Sequence, residues 1–133
     1  MQDTLIISSL AAQCRLGVTG QERSTPQTVW IDLELGIDAA SAAAADDVKE
    51  AIDYAALVKA VKALAERTSL QLMETLGERI AQLVLERFDT SQVFVRVKKR
   101  ALPGVDFAAV EVRRVRPAGR SRRMTRSPRG ARG

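Results

Sequence analysis

The chain has 133 residues, 46% of them hydrophobic, which suffices for one domain with its own core. It contains no histidine and only one cysteine, so histidine-based triads, cysteine–histidine dyads, the usual zinc sites and intrachain disulfides are excluded. Any acid–base chemistry falls to Glu, Asp, Lys or Tyr. No membrane-length apolar run or secretory signal is visible, and we expect Cys14 to be a buried thiol in a reducing cytoplasm.

The formal net charge of +5 is unevenly distributed. Residues 117–133 hold six arginines and no acid; removing those six from the 21 basic residues leaves 15 against 16 acidic ones. We therefore predict one domain over residues 1–116 and a disordered, Arg-rich tail over residues 117–133. The tail is either a dispensable extension, which we favour, or a weak binder of RNA.

The first half of the domain predicts strands. Residues 4–10 form a short apolar stretch that residues 11–18 continue after a bend, and residues 17–27 are a polar connector with Gly and Pro. Residues 29–37 alternate between apolar and polar, which is typical of a half-buried strand. The alanine-rich residues 39–47 are interpreted as a connection with one helical turn, ending in the structural pair Asp46 and Asp47.

Two helices and two strands follow. Asp53 is a predicted N-cap for a helix that carries its apolar residues at helical spacing, and a second amphipathic helix begins after residues 68–71. Residues 93–99 and 106–115 predict two more strands joined by a turn at residues 102–104. This order indicates an α+β domain with a four-stranded antiparallel sheet and two helices on one face. Its open edges predict assembly with other copies.

Two residues stand out for chemistry. Glu74 lies in the first turn of the second helix, where free N–H groups stabilise a carboxylate that can bind an amidine-like edge; it can also be an ordinary first-turn acid. Lys99 follows three inward-facing valines, so its amine lies either in a pocket or at a solvated rim beside Lys98 and Arg100.

Three further residues carry weaker signals. Glu22 lies in a loop between glycine and proline, where surface acids are common. Tyr54 is expected to be a core aromatic whose hydroxyl reaches water, and Trp30 falls on the face opposite the apolar register, where it fits a subunit contact.

Taken together and in order, these segments resemble the dihydroneopterin aldolase family. The resemblance covers about residues 3–116 and rests on short motifs: the opening Leu5–Leu10 strand, Leu16-Gly17-Val18 through Glu22-Arg23 to Gln27, Asp46-Asp47-Val48 to Ile52-Asp53-Tyr54, Leu72 to Ala81, Val95 to Lys99, and Val110-Glu111-Val112. It implies the ββααββ tunnelling fold, in which subunits join their sheets into a barrel. Rings of four, stacked into octamers, would place active sites between neighbouring subunits.

The implied activity is retro-aldol cleavage of 7,8-dihydroneopterin in folate biosynthesis, in some members with epimerisation at the 2′ carbon. The resemblance gives Glu74 the role of pterin anchor, with Met73, Asp53 and Glu22 completing the substrate-binding set. Lys99, Tyr54 and Glu22 are the implied catalytic residues, with no metal, cofactor or Schiff base.

Two questions stay open at this point. Arg100 and Ala101 follow the lysine where many relatives have proline, so either Lys98 or Lys99 can supply the amine, although strand register favours Lys99. The alternatives to the aldolase are an epimerase of dihydroneopterin or its triphosphate, with phosphate bound by Arg15, Arg23 or Arg100, and a non-catalytic oligomer that binds RNA through the tail.

Overall fold

The alternating apolar residues form a single curved sheet in the computed structural model, which describes residues 2–100 and 102–117. Its strands are β1 (Asp3–Leu16), β2 (Gln27–Ile37), β3 (Ser69–Leu70), β4 (Gln92–Lys99) and β5 (Ala108–Val115), in the order β3-β1-β2-β4-β5. The α+β class is confirmed, but the expected count of four antiparallel strands is wrong. The fifth strand is the two-residue β3, which pairs parallel to β1. It is too short to show a sequence periodicity, so it can be identified only from its pairing with β1.

The bend predicted in the first strand is a β-bulge. The register between β1 and β2 shifts between Ile7 and Leu10, and Ser9 adopts a positive φ of 56°. The Ser9 N–H, which the bulge leaves outside the ladder, donates to Asp32 Oδ1 at 2.7 Å. A side chain on β2 thus stabilises the bend in β1.

The helices are α1 (Gly20–Arg23), α2 (Ala39–Ala45), α3 (Tyr54–Glu66) and α4 (Met73–Arg87), with a 3-10 turn at Val48–Glu50. The prediction that residues 39–47 are a connection with one helical turn underestimated the helix, because the alanines extend α2 over seven residues. Asp46 ends α2 in the left-handed conformation and Asp47 caps the 3-10 turn, so the structural role expected for this pair is confirmed. Asp53 is confirmed as the N-cap of α3.

Helices α3 and α4 cover one face of the sheet and enclose the core. Each buries a stripe at helical spacing: Leu57, Val61, Leu64 and Ala65 on α3, and Leu76, Ile80, Leu83 and Val84 on α4. Helix α3 packs against β1, and α4 packs against β4 and β5; each Leu, Ile or Val side chain of the stripes is worth about 1.5–3 kcal/mol when fully buried. Cys14 is buried among them, as expected. Within residues 2–100 and 102–117, no helix is long and apolar enough to cross a membrane.

The other side of the sheet, here called the open face, carries polar and aromatic side chains. Trp30 lies there, as its register predicts, and its ring packs edge-on against Phe107 with centroids 5.1 Å apart. Asp32, only 8% exposed, bonds Arg96 across the β2–β4 pair. The predicted tail lies outside the described residues except for Pro117.

Candidate active site

Lys99 ends β4 on the helix-covered face of the sheet. It continues the inward register of Val93, Val95 and Val97 and is only 9% exposed, so the solvated alternative is wrong. Its Nζ donates to the backbone oxygen of Leu16, the last residue of β1, at 3.3 Å. The buried ammonium therefore has a backbone partner beside the loop that follows β1.

Cys14, buried on β1, lies close enough to Lys99 to be affected by its charge. Burial raises the pKa of its thiol, although the Thr68 hydroxyl, 3.6 Å from the sulfur, and the positive charge of Lys99 act in the opposite direction. At neutral pH the thiol is protonated, so it is a packing neighbour of the lysine and not a nucleophile.

Glu22 stands in the loop next to Lys99, fixed by a capping box at the start of α1. Its Oε1 accepts from the Thr19 N–H at 3.1 Å and from the Thr19 hydroxyl at 3.2 Å, while the Glu22 N–H donates back to that hydroxyl at 3.1 Å. The Thr19 N–H, then its hydroxyl, and also the charge of Lys99 lower the pKa of the Glu22 carboxyl. An exposed carboxylate is thereby kept ionised beside a buried ammonium.

The loop that holds Glu22 requires glycine at position 17. A Cβ placed there would lie 2.3 Å from Glu22 Cβ, closer than any real contact allows. The Gly17 N–H donates to the Leu70 oxygen on β3 at 3.0 Å. The Glu22 loop is therefore packed closely against β1 and tied to β3.

Glu74 lies in the first turn of α4, four residues after Leu70, as the sequence predicts. The N-cap residue Leu72 makes no side-chain capping bond, so the N-terminal amides of α4 lack that partner and favour an anion nearby. Met73 is half-buried and packs against the core, so it supports the helix start. The short β3 thus brings the start of α4 to the same part of the sheet as the Glu22 loop and Lys99.

Tyr54 and Asp53 lie elsewhere. They begin α3, whose far end reaches Thr68 beside Cys14 and Lys99. A helix of 13 residues is about 20 Å long, so Tyr54 and Lys99 of one chain lie at opposite ends of α3. The expectation that Tyr54 is a core aromatic is also wrong, because the residue is 62% exposed. Asp53 Oδ1 accepts from the Ala56 N–H at 3.0 Å as a helix cap.

Two residues of the site were not identified from the sequence. The role of Thr19 could have been predicted, since Thr19-Gly20-Gln21-Glu22 has the spacing of a capping box. Gln27 bonds two backbone oxygens of the site through its side-chain amide, at Leu16 and Glu22. No sequence pattern identifies that contact, because it depends on the path of the loop.

Comparisons with known proteins agree on one family. The family model for dihydroneopterin aldolase, FolB, matches residues 5–114. The chain is 37% identical over 101 residues to a dihydroneopterin aldolase of Streptomyces coelicolor, covering 76% of this chain and 85% of the relative.

Solved structures of the same family resemble the fold. Dihydroneopterin aldolase of Escherichia coli in complex with neopterin has a TM-score of 0.81 at 28% identity, covering 84% of this chain and 98% of that one. The Burkholderia thailandensis enzyme bound to guanine has a TM-score of 0.73 at 25% identity, covering 87% and 93%.

Proposed function

The chain belongs to the dihydroneopterin aldolase family, whose members are lyases, and we propose that it converts 7,8-dihydroneopterin into 6-hydroxymethyl-7,8-dihydropterin and glycolaldehyde. The observation that carries the proposal is the buried Lys99 amine beside the fixed Glu22 carboxylate, at the end of the sheet where α4 begins. This arrangement supports the proposal, because an amine and a carboxylate can exchange protons and a helix start can bind an anion that anchors a heterocycle.

The reaction needs protons moved, not an external electron acceptor. The 2′ hydroxyl of the substrate side chain loses its proton, its oxygen forms a carbonyl, and the bond between C1′ and C2′ breaks. The electrons of that bond move into the C=N bond of the ring, so neither a Schiff base nor a metal is required to hold them. Protonation of C1′ then gives the hydroxymethyl product.

Glu74 is the proposed anchor of the pterin ring. A carboxylate can accept two hydrogen bonds from adjacent amino and ring N–H groups, and the first turn of α4 stabilises its charge. Two relatives support this role, one in complex with neopterin and one bound to guanine, since both ligands have an amino group beside a ring N–H. Met73 completes the proposed binding set on the same helix, and Asp53, the N-cap of α3, would join it from a neighbouring subunit.

Lys99 and Glu22 are the proposed groups at the side chain of the substrate. The lysine amine exchanges protons with the 2′ hydroxyl and the intermediate, and Glu22 accepts hydrogen bonds from the side-chain hydroxyls. Lys98 is a poor candidate because its Nζ lies on the open face, 3.6 Å from Asp32 Oδ2. If glycolaldehyde adds back through its other face before it leaves, the 2′ carbon is inverted, which accounts for epimerisation.

Tyr54 enters the proposal from a neighbouring subunit. Its exposed ring, at the opposite end of α3 from Lys99 of the same chain, is free to reach the Lys99 site of another copy. We therefore propose a homo-oligomer of four-membered rings, paired as an octamer, with shared sites. A cytoplasmic location belongs to the same proposal, supported by the buried free thiol of Cys14.

The triphosphate epimerase gains no support from the arginines that it requires. Arg15 donates to the oxygens of Arg23 and Ser24, and Arg23 donates to those of Gly17 and Val18 at 2.8 and 2.9 Å. Arg100 pairs with Asp106 and lies over the rings of the open face. These guanidinium groups bind protein acceptors. The RNA-binding alternative depends on the tail, which lies outside the described residues.

The proposal is tested by incubating the full-length protein with 7,8-dihydroneopterin and measuring glycolaldehyde and the hydroxymethyl product, with and without a chelator. We expect chelator-insensitive turnover that falls about 100- to 10,000-fold in Lys99→Ala, since a positioned proton-transfer group is lost. Lys98→Ala is the matched control, and its turnover should stay within about threefold of wild type, because Lys98 pairs with Asp32 on the open face, away from the proposed substrate site. An inactive wild type would overturn the function, and loss in Lys98→Ala alone would overturn the lysine assignment.

A further inference from the structure

The side chain of Gln27 joins the two halves of the Glu22–Lys99 pair. Gln27 is the first residue of β2, and its Nε2 donates to the Leu16 oxygen at 2.7 Å and to the Glu22 backbone oxygen at 3.2 Å. The Leu16 oxygen is also the acceptor of Lys99 Nζ, at 3.3 Å. One amide group therefore holds both the carbonyl that orients the lysine and the backbone of the glutamate.

The other bonds of this loop do not make that connection. The Thr19–Glu22 capping box is internal to the loop and fixes only the orientation of the carboxylate within it. Arg15 and Arg23 bind the oxygens of Gly17, Val18, Arg23 and Ser24. Of the side-chain hydrogen bonds described, only those of Gln27 reach both the acceptor of Lys99 and the backbone of Glu22.

The chemistry of the amide suits this position. A glutamine –NH₂ group carries two N–H donors, which matches two carbonyl acceptors, and the Leu16 oxygen has two lone pairs for Gln27 and Lys99. Gln27 is half-buried, so water would replace its bonds incompletely if the donor were lost. A carboxylate or a thioether of the same length has no donor to offer.

From this geometry we infer that Gln27 is a positioning residue that fixes the Glu22 carboxylate relative to the Lys99 amine. The inference rests on the aldolase function proposed above. Gln27 itself is assigned no contact with the substrate. Displacement of a reacting group by about 1 Å is enough to reduce turnover about 100-fold, so loss of this one bridge should be visible in the rate.

The test compares Gln27→Met with Gln13→Met in the full-length protein. Gln13 lies on β1, the partner strand, and its Nε2 donates to the Thr28 hydroxyl at 2.9 Å, so the control removes a similar bond from the same strand pair. We expect kcat to fall about 10- to 100-fold in Gln27→Met, with KM within about threefold because Glu74 lies on a separate helix. Gln13→Met should keep both values within about twofold.

A second measurement does not depend on activity. Amide hydrogen exchange should accelerate at residues 17–24 in Gln27→Met, with the core of α3 and α4 and the thermal unfolding midpoint little changed. Gln13→Met should leave exchange in that segment unchanged.

The outcomes separate this inference from the proposed function. An active wild type with unchanged kcat in Gln27→Met would overturn the positioning role and leave the aldolase intact. A uniform rise in exchange with a lower unfolding midpoint would show a merely structural role and also overturn it. An inactive wild type would overturn the aldolase, and the exchange at residues 17–24 would then decide alone whether Gln27 fixes the loop.

Discussion

Lys98 and Lys99 are consecutive residues of β4, yet their amines lie on opposite faces of the sheet. Lys98 is on the open face, 3.6 Å from the Asp32 carboxylate and 5.3 Å from the centroid of the Phe107 ring. Lys99 is on the helix-covered face, bonded to the Leu16 oxygen beside Glu22. The same side chain thus has a carboxylate partner and a ring on one face, and a carbonyl partner at a buried position on the other.

This difference follows from the two-residue period of a strand, which points consecutive side chains to opposite faces of the sheet. On the open face Asp32, Arg96 and Glu111 compensate one another, so the charges stabilise strand pairing and the bulge of β1. On the covered face the Lys99 ammonium shares its surroundings with apolar residues and one loop carboxylate. The proposed proton transfer is therefore assigned to Lys99, whereas the amine of Lys98 pairs with the Asp32 carboxylate.

The largest expected effect comes from removing either Lys99 or Tyr54 from the proposed active site. Lys99→Ala and Tyr54→Phe should each retain less than about 1% of wild-type turnover. When the two variants are mixed in equal amounts, unfolded and refolded together, the mixture should recover about one quarter of wild-type turnover. The reason is that one site in four would combine an intact lysine with an intact tyrosine from different chains. The assay is glycolaldehyde release.

The control is the same mixture combined without unfolding, which should stay at the level of the single variants. A refolded mixture that also stays there would show that one chain supplies both residues, contrary to the position of Tyr54 at the far end of α3.

An intermediate effect is expected from Gly17→Ala, which places a methyl group against the Glu22 Cβ. We expect the free energy of unfolding to fall by about 1–3 kcal/mol, since the loop backbone must shift to separate the new methyl group from the Glu22 Cβ. Turnover should fall about tenfold, because Glu22 is displaced from Lys99. Urea unfolding and the aldolase assay measure the two effects.

Gly20→Ala is the matched control for that change. Gly20 begins α1, and its nearest neighbour to an added Cβ is Arg23 Nη2 at 3.9 Å, so alanine should be neutral or stabilise by up to about 1 kcal/mol. Equal losses in both variants would contradict the close packing of Gly17 against Glu22.

The smallest effect is expected on the open face, from Asp32→Asn. Burial alone would raise the pKa of the Asp32 carboxyl, but the Ser9 N–H, Arg96 and Lys98 more than offset it and lower the pKa. A lowered pKa in the folded state contributes stability above the unfolded-state value of about 3.9, and that contribution disappears as pH falls through the folded-state value. Asp32→Asn should therefore cost about 1 kcal/mol at neutral pH and almost nothing in strong acid.

Urea unfolding at about pH 7 and about pH 2 measures this difference. Glu34→Gln, at an exposed position on the same strand, is the control and should change the free energy of unfolding by less than about 0.5 kcal/mol. A loss of equal size at both pH values would assign the effect of Asp32 to shape and not to charge. Turnover should remain within about twofold in Asp32→Asn, since the open face lies apart from the site.

Much of the fold was predictable because its signals are local. The alternation in residues 29–37, the helical stripes and the Asp53 cap all repeat or act within a few residues, and each is confirmed. The failures were of two kinds. The strand β3 is defined by a partner far away in sequence, and α2 lies where alanine propensity and the absence of an apolar stripe point in opposite directions.

The site divides in the same way. The inward facing of Lys99 was predictable from the register of β4, although register left its burial open, and the first-turn position of Glu74 was predictable from the start of α4. The exposure of Tyr54 was not, because its place in the apolar stripe of α3 gives no information about whether the end of that stripe extends beyond the sheet.

The sequence by itself determined the α+β class, the facing of Lys98 and Lys99, and the family, because periodicity and motif order are carried by neighbouring residues. Only the tertiary structure decided that Gln27 and Lys99 donate to the same Leu16 carbonyl while Gln27 also binds the Glu22 carbonyl, and that Tyr54 of the same chain lies away from them. The physical reason is that hydrogen bonds between distant segments depend on how the sheet curves and the loop returns, and these are set by packing of the whole domain.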